Sequence, residues 1–360
     1  MEKIKAAIVG LGRIASLLEE DTRREKPCTH AGAISANPDC ILVGGCDIDE
    51  ERRELFAKRW GVPVFADAAE MLRTLRPQIL VIATFPDSHY FYCRLAAMMN
   101  VPVIICEKPL AAAISEARKI AALADSRPTG PLIITNHERR YSADYIRAKE
   151  ILVSGKLGEL LSVRAVLYMG KNKRLIDVLW HDGTHLADAV MFLTGMFLKH
   201  RKRWGAKLSA SFGTAWLEAQ LVPETRQQPK PATEKDYLKK TPVPVIFEVG
   251  AGRDHLVFEM EFSCAEGRLR IGNGIFEVWE SSESPYAEKF RSLKCTSPLF
   301  EWPTGYFVNM IADAVSCARE RSVEVEVHPG SIPAPGRLPR SSAADGLAVI
   351  EYLHSVKPWR

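Results

Sequence analysis

The chain has 360 residues, 47% of them hydrophobic, with 48 basic and 44 acidic side chains and a formal charge of +4. That length allows two domains with substantial cores, and the evenly mixed charges argue against a nucleic-acid partner, because the most basic cluster, His200 to Lys207, is short and reads as a solvated turn. No apolar run reaches 18 residues, which excludes a membrane-spanning helix, and the eight cysteines form no CxxC pair, which fits buried thiols in a reducing compartment.

The opening MEKIKAAIVG runs directly into a strand expected at Ile4 to Val9, leaves no room for a cleavable leader, and so points to a cytoplasmic protein. Gly10-Leu11-Gly12-Arg13-Ile14-Ala15 follows at once. Gly10 suits a tight turn, Gly12 lets backbone approach a pyrophosphate, and small Ala15 permits close strand–helix packing. A helix expected from Arg13 to Glu20 makes the amides at Arg13 and Ile14 an anion site. The polar DTRREKPCTHAG then reads as a loop insertion before a second strand, Cys40 to Cys46. Asp47 ends that strand, where its carboxylate can bind adenosine ribose hydroxyls and repel a 2'-phosphate, favouring NAD. Asp49 is a rival carboxylate, and Arg52 and Arg53 keep NADP compatible with the sequence.

Helices are expected over Glu50 to Trp60 and Ala68 to Leu75, with a brief extended piece at Val62 to Phe65 between them and a strand at Ile79 to Thr84 after them. Ala83-Thr84-Phe85-Pro86-Asp87-Ser88-His89 terminates that strand, where Pro86 can fix a turn beneath the cofactor, and Asp87 or Ser88 can cap a helix running to Met99. His89 can pack or hydrogen-bond near the nicotinamide, although a lone histidine is more often structural. A buried strand at Val101 to Cys106 exits through Glu107-Lys108-Pro109, placing the cation of Lys108 where a parallel sheet ends and ligands bind. Pro109 biases Lys108 toward an extended backbone. The plain alternative is a surface lysine paired with Glu107. Strand and helix signals alternate through this region, so it reads as a parallel sheet covered on both faces. After a helix at Ile114 to Ala124, the punctuation Pro128-Thr129-Gly130-Pro131 closes a first domain at residues 1–130.

The second domain, 131–360, opens on a strand at Leu132 to Thr135 and the polar Arg139-Arg140-Tyr141. A helix over Ser142 to Leu152, a turn at Gly155 to Gly158 and a strand at Leu161 to Tyr168 follow. Lys171, Lys173, Arg174 and Asp177 are expected to line the mouth of a site and to suit an oxygen-rich substrate. His181-Asp182-Gly183-Thr184-His185 leads into a helix over Thr184 to Phe192. Its two histidines are four residues apart, but Gly183 and Thr184 lie between them and HExxH is absent, so no metal site is expected. Extended segments at Leu208 to Leu217, Val243 to Val249, Leu256 to Ser263 and Arg268 to Ile271 predict an α+β domain on an open, mostly antiparallel sheet. The stretch from Val222 to Pro244 reads as an exposed excursion.

In order, GLGRIA, the strand-end Asp47, FPDSHYFYCRLAAMMNVPVIICEKPLA, RRYSADYIRAKEILVSGKLGEL and DGTHLADAVMFLTG resemble the glucose-fructose oxidoreductase/inositol dehydrogenase/MocA family. The resemblance implies a Rossmann-like domain joined to an open-sheet α/β domain, a homodimer or homotetramer, and hydride transfer between NAD(P) and a secondary alcohol or ketone of a sugar, cyclitol or sugar acid. It implies cofactor contacts from Gly10, Gly12, Arg13, Ile14, Asp47, Thr84, Pro86, His89, Glu107 and Lys108. Lys108 would stand by the reacting oxygen and His185 would be the acid–base group, with Arg140, Tyr141, His181 and Asp182 near substrate. Relatives commonly show Asp-x-Gly-x-His, whereas His181 occupies the aspartate position here. Asp182 could substitute, His181 could relay protons or bind substrate, or turnover could be impaired, leaving a nucleotide-binding sensor or structural protein. Redox-assisted glycoside hydrolysis or elimination with retained NAD is a further alternative.

Overall fold

In the computed structural model, residues 2–125, 130–171, 173–223, 242–297, 304–324 and 338–356 are described. The Pro128-Thr129 punctuation and most of the expected excursion, residues 224–241, lie outside them. The chain divides into two compact units, Met1–Ser142 with Pro303–Ile350, and Ala143–Trp302 with Glu351–Arg360.

The apolar runs of the first unit become β1 (Ile4–Val9), β2 (Cys40–Cys46), β3 (Val64–Phe65), β4 (Ile79–Ile82), β5 (Val103–Cys106) and β6 (Leu132–Thr135). They form one parallel sheet in the order β3-β2-β1-β4-β5-β6. Every side chain of β4, β5 and β6 is buried, as expected for strands covered on both faces. The strand order reverses between β1 and β4, and the turns leaving those strands carry Gly10 and Thr84. In open α/β sheets such a reversal is where ligands bind.

Helices α1 (His30–Ala36), α2 (Glu50–Trp60), α3 (Ala68–Leu75), α4 (His89–Met98) and α5 (Ile114–Asp125) connect these strands. The side chains of Thr29, Asp49 and Asp67 cap α1, α2 and α3 by accepting from Gly32, Arg52 and Glu70 amides. The helix expected at Arg13 to Glu20 does not form. The chain instead makes turns and a short 3-10 helix at Leu17–Glu20, and α1 begins inside the stretch expected to be a loop insertion. Contacts with the chain some ten residues further on explain the difference. Glu19 accepts from the Thr29 hydroxyl at 2.6 Å and the Cys28 amide at 3.3 Å, while Lys26 Nζ donates to the Leu18 and Glu19 carbonyls at 3.1 and 2.5 Å. The Lys26 bonds occupy carbonyls at the end of the expected helix, and the Glu19 bonds hold Cys28 and Thr29 against it.

The second unit contains α6 (Ala143–Val153), β7 (Leu160–Tyr168), α7 (Leu175–His181), α8 (Gly183–Thr194) and β8 (Phe197–Gly205). It continues through β9 (Gly213–Val222), β10 (Val243–Ala251), β11 (Val257–Cys264), β12 (Gly267–Gly272), β13 (Ile275–Glu283) and β14 (Arg291–Cys295). Its eight strands run β14-β13-β12-β11-β7-β10-β9-β8, antiparallel except for the parallel β7–β10 pair. Burial alternates residue by residue along β9 and β11, the signature of a sheet with one covered face. The other face holds charges, including Arg164 with Glu248 at 2.7 Å and Arg270 with Glu277 at 3.0 Å. The basic stretch expected as a turn is largely β8, an edge strand paired to β9. Exposed lysines and arginines on an edge break the apolar alternation that would have announced a strand, and they discourage edge-to-edge pairing.

Two late helices complete the chain, α9 (Tyr306–Glu324) and α10 (Ala343–Val356). Met310, Ile311, Ala314 and Val315 of α9 join the core under β1, β4 and β5, so the first unit is built from both ends of the sequence.

Candidate functional site

The glycine turn is shaped by steric necessity. Gly10 has φ +85°, and a Cβ there would lie 2.7 Å from the carbonyl carbon and oxygen of Ala83. Gly12 is open, its nearest neighbour being Arg52 Nη1 at 3.9 Å from the position a Cβ would take. Asp47 is buried and braces this turn: Oδ2 accepts from the Leu11 amide at 2.7 Å and Oδ1 from the Asp49 amide at 3.0 Å. Each oxygen keeps a second lone pair for another donor. Arg52 stands 3.7 Å from Asp47 and 3.6 Å from Asp49, while Arg53 donates to the Asp47 and Ile48 carbonyls. Arg13 is exposed and Ile14 half-buried beside Gly12.

At the exit of β4, Ser88 Oγ donates to Thr84 Oγ1 at 2.7 Å, and the Pro86 carbonyl accepts from the Ala112 amide at 3.3 Å. His89 is fully buried. Its Nδ1 faces the Pro109 and Leu110 carbonyls at 3.1 and 3.3 Å, and its Nε2 faces the Thr84 carbonyl at 3.1 Å. Burial pushes this imidazole below its ordinary pKa, against the opposing pull of those carbonyls and Glu107. The ring therefore ties the β4 exit to the loop carrying Lys108, with both nitrogens turned to protein.

That loop leaves β5 through a buried carboxylate. Glu107 Oε1 accepts from His30 Nε2 at 2.7 Å and Asn136 Nδ2 at 2.5 Å, and Oε2 accepts from the Lys108 amide at 3.2 Å. Burial would raise the Glu107 pKa, but His30, Asn136 and the Lys108 charge together hold it below the usual glutamate value of 4.5. Lys108 is half-buried and precedes a cis peptide bond to Pro109. A depressed carboxylate pKa adds stability above the ordinary value that is lost as pH falls through the folded one. Wild-type urea midpoints should accordingly fall below pH 4.5, with a shallower fall in Glu107→Gln, which is less stable at pH 7 by roughly 1–3 kcal/mol. Parallel acid profiles for the two proteins would show that Glu107 is not the linked group.

Arg140 and Tyr141, expected near substrate, take part in the packing of the first unit. Arg140 Nη1 lies 3.0 Å from Asp345 and donates to the Arg340 carbonyl at 3.2 Å. The Tyr141 hydroxyl donates to Asp313 at 3.1 Å, and burial together with that carboxylate pushes the phenol well above its ordinary pKa. Asp313 also accepts from the Arg340 amide at 3.0 Å.

In the second unit, His181 closes α7 at an exposed position and His185 sits half-buried in the first turn of α8. Asp182 links the helices. Its carbonyl accepts from the His185 amide at 3.1 Å, and its Oδ2 is buried with no hydrogen-bond partner among the described residues. Thr184 Oγ1 donates to the His181 carbonyl at 3.0 Å. The two histidines thus belong to consecutive helices, and no group of three or more potential metal ligands occurs among the described residues. Lys171, Lys173 and Arg174 are exposed, and Arg174 forms a fork to Asp177 at 2.7 and 2.8 Å that holds the Asp177 carboxyl below its usual range. Lys108 is in the first unit and His181, Asp182 and His185 are in the second. His30 and Asn136, absent from the sequence-based candidates, are the residues that hold Glu107. Only Thr29-His30 at a helix start offered a local signal for either.

Residues 4–130 match the GFO_IDH_MocA family, described as an oxidoreductase family with an NAD-binding Rossmann fold. The chain is 31% identical over 157 residues to inositol 2-dehydrogenase of Rubrobacter xylanophilus, covering 44% of this chain and 42% of that protein. It is 25% identical over 203 residues to glucose-6-phosphate 3-dehydrogenase of Bacillus subtilis, covering 52% of this chain and 53% of that protein. The matched stretch thus spans about half the length of these relatives or less. Among solved structures, a dehydrogenase from Chromobacterium violaceum superposes with TM-score 0.72 at 15% identity, over 99% of this chain and 94% of that one. No described helix is long and apolar enough to cross a membrane.

Proposed function

We propose that the chain, whose residues 4–130 match the oxidoreductase family with an NAD-binding Rossmann fold, is a member of that family and an NAD(P)-dependent dehydrogenase or reductase acting on a secondary alcohol or ketone of a sugar, cyclitol or sugar acid. The observation that carries this reading is the turn at Gly10, which only glycine fits, braced by Asp47 at the reversal of strand order. Asp47 retains acceptor capacity for ribose hydroxyls, which favours NAD, while Arg52 beside it supplies a cation for a 2'-phosphate. Substrate class rests on the matched relatives, whose names concern a cyclitol and a sugar phosphate.

Bound nicotinamide would accept or supply the hydride at C4. In alcohol oxidation the substrate hydroxyl loses its proton to the imidazole of His185 as the carbonyl forms. The Lys108 ammonium offsets negative charge on that oxygen. In reduction His185 returns the proton. His181 and Asp182 would orient the imidazole or the substrate. Gly12, Arg13, Ile14, Thr84 and Pro86 would line the dinucleotide, with His89 and Glu107 holding the loops beneath it. A homodimer or homotetramer is the expected assembly.

Titration with NADH and NADPH tests the premise directly. Both should quench or shift fluorescence, NADH binding more tightly, and Arg52→Ala should weaken NADPH by about tenfold while leaving NADH within about threefold. Absence of binding to either nucleotide would overturn the reading. With binding established, turnover of myo-inositol, glucose 6-phosphate and sugar acids would separate an active dehydrogenase from a nucleotide-binding sensor.

A further inference from the structure

We propose that His30 is a positioning residue for Lys108, an inference that rests on the oxidoreductase reading given above. The imidazole is fully buried at the first position of α1, with its ring edge against Phe307 at a centroid distance of 5.1 Å. Its backbone and side chain bond to two different functional loops. The His30 amide donates to the Ile14 carbonyl at 3.1 Å, in the segment that follows the glycine turn. Its Nε2 lies 2.7 Å from Glu107 Oε1, and the other oxygen of that carboxylate accepts the Lys108 amide at 3.2 Å. An ionised carboxylate can only accept, so Nε2 carries the proton in this bond.

Geometry gives this bond more than a packing role. Glu107 links His30 to the Lys108 backbone through its two oxygens, and Asn136 Nδ2 anchors the same Oε1 from the end of β6. Removing the His30 donor leaves the carboxylate with one side-chain amide and freedom to rotate. The Lys108 amide then loses a fixed acceptor, and the loop that carries the ammonium loses the bond that ties it to α1. A displacement of about 1 Å at a reacting group costs on the order of 10²-fold in rate.

Amide hydrogen exchange of the full-length protein, read by NMR at the Lys108 N–H, tests the coupling without a substrate. His30→Leu should accelerate exchange at Lys108 by about tenfold or more, with the amides of β4 and β5 within about threefold of wild type. His30→Gln, whose amide nitrogen can replace Nε2 as a donor, should restore wild-type protection. Unchanged exchange at Lys108 in His30→Leu would overturn the proposal, and so would equal acceleration throughout β4 and β5 or failure of Gln to restore protection. The kinetic counterpart uses whichever of the tested polyols wild type oxidises: kcat should fall about tenfold to 10²-fold in His30→Leu with nucleotide affinity within about threefold, and recover in His30→Gln. Loss of kcat that Gln does not restore would equally overturn it. If the protein binds neither NADH nor NADPH, the oxidoreductase reading fails while the exchange result still decides whether His30 fixes Lys108.

Discussion

Lys108→Met should lower kcat by about 10²- to 10³-fold while NADH affinity stays within about threefold and the melting temperature within about 4 °C. The asymmetry follows from which part of Lys108 does what. Its backbone amide donates to Glu107, and methionine retains that amide. The Glu107 contacts to His30 and Asn136 come from elsewhere in the first unit and are also retained. What disappears is a half-buried ammonium at the exit of β5, on the edge of the sheet where the dinucleotide turn lies. An interaction that grows as the reacting oxygen gains charge acts on the transition state more than on the ground state, so its loss reads in kcat. A kcat within about threefold of wild type would remove Lys108 from the mechanism. A large loss of NADH affinity with kcat intact would make it a cofactor-binding residue only.

The parts of this fold that the sequence announced are those whose residues carry their own reasons. Ile4–Val9, Cys40–Cys46 and Leu132–Thr135 are short apolar runs that burial on both faces of a sheet requires, and they became strands with the expected limits. Gly10 announced its turn because the site demands both a positive φ and the absence of a Cβ. Elements set by distant contacts were not legible. The nonhelical course after Gly12 depends on Glu19 bonding to Cys28 and Thr29, and the place of α9 depends on Asp313 meeting Tyr141 across 172 residues. The β8 edge strand hid behind its charges, and α7 behind a polar approach read as a site mouth. For the same reason Glu107 was legible within its EKP motif while its partner His30, 77 residues away, was not.

His185→Ala should cost about 10²- to 10⁴-fold in kcat/KM and remove the imidazole limb from the pH profile of alcohol oxidation. The sign follows from the proton. Oxidation needs a base that is neutral before reaction, so the wild-type rate falls on the acid side as an imidazole becomes protonated, and reduction, which needs the proton in place, falls on the alkaline side. The position suits the role: His185 is half-buried in the first turn of α8, where its amide donates to the Asp182 carbonyl at 3.1 Å. His181 is the competing imidazole. It sits at the exposed end of α7, on a separate helix, so its truncation should leave the limb in place and change KM more than kcat. If the limb vanishes in His181→Ala and survives in His185→Ala, the base is His181. The substitution of histidine for the aspartate common at that position would then have moved the proposed proton-transfer group from His185 to His181 without moving Lys108.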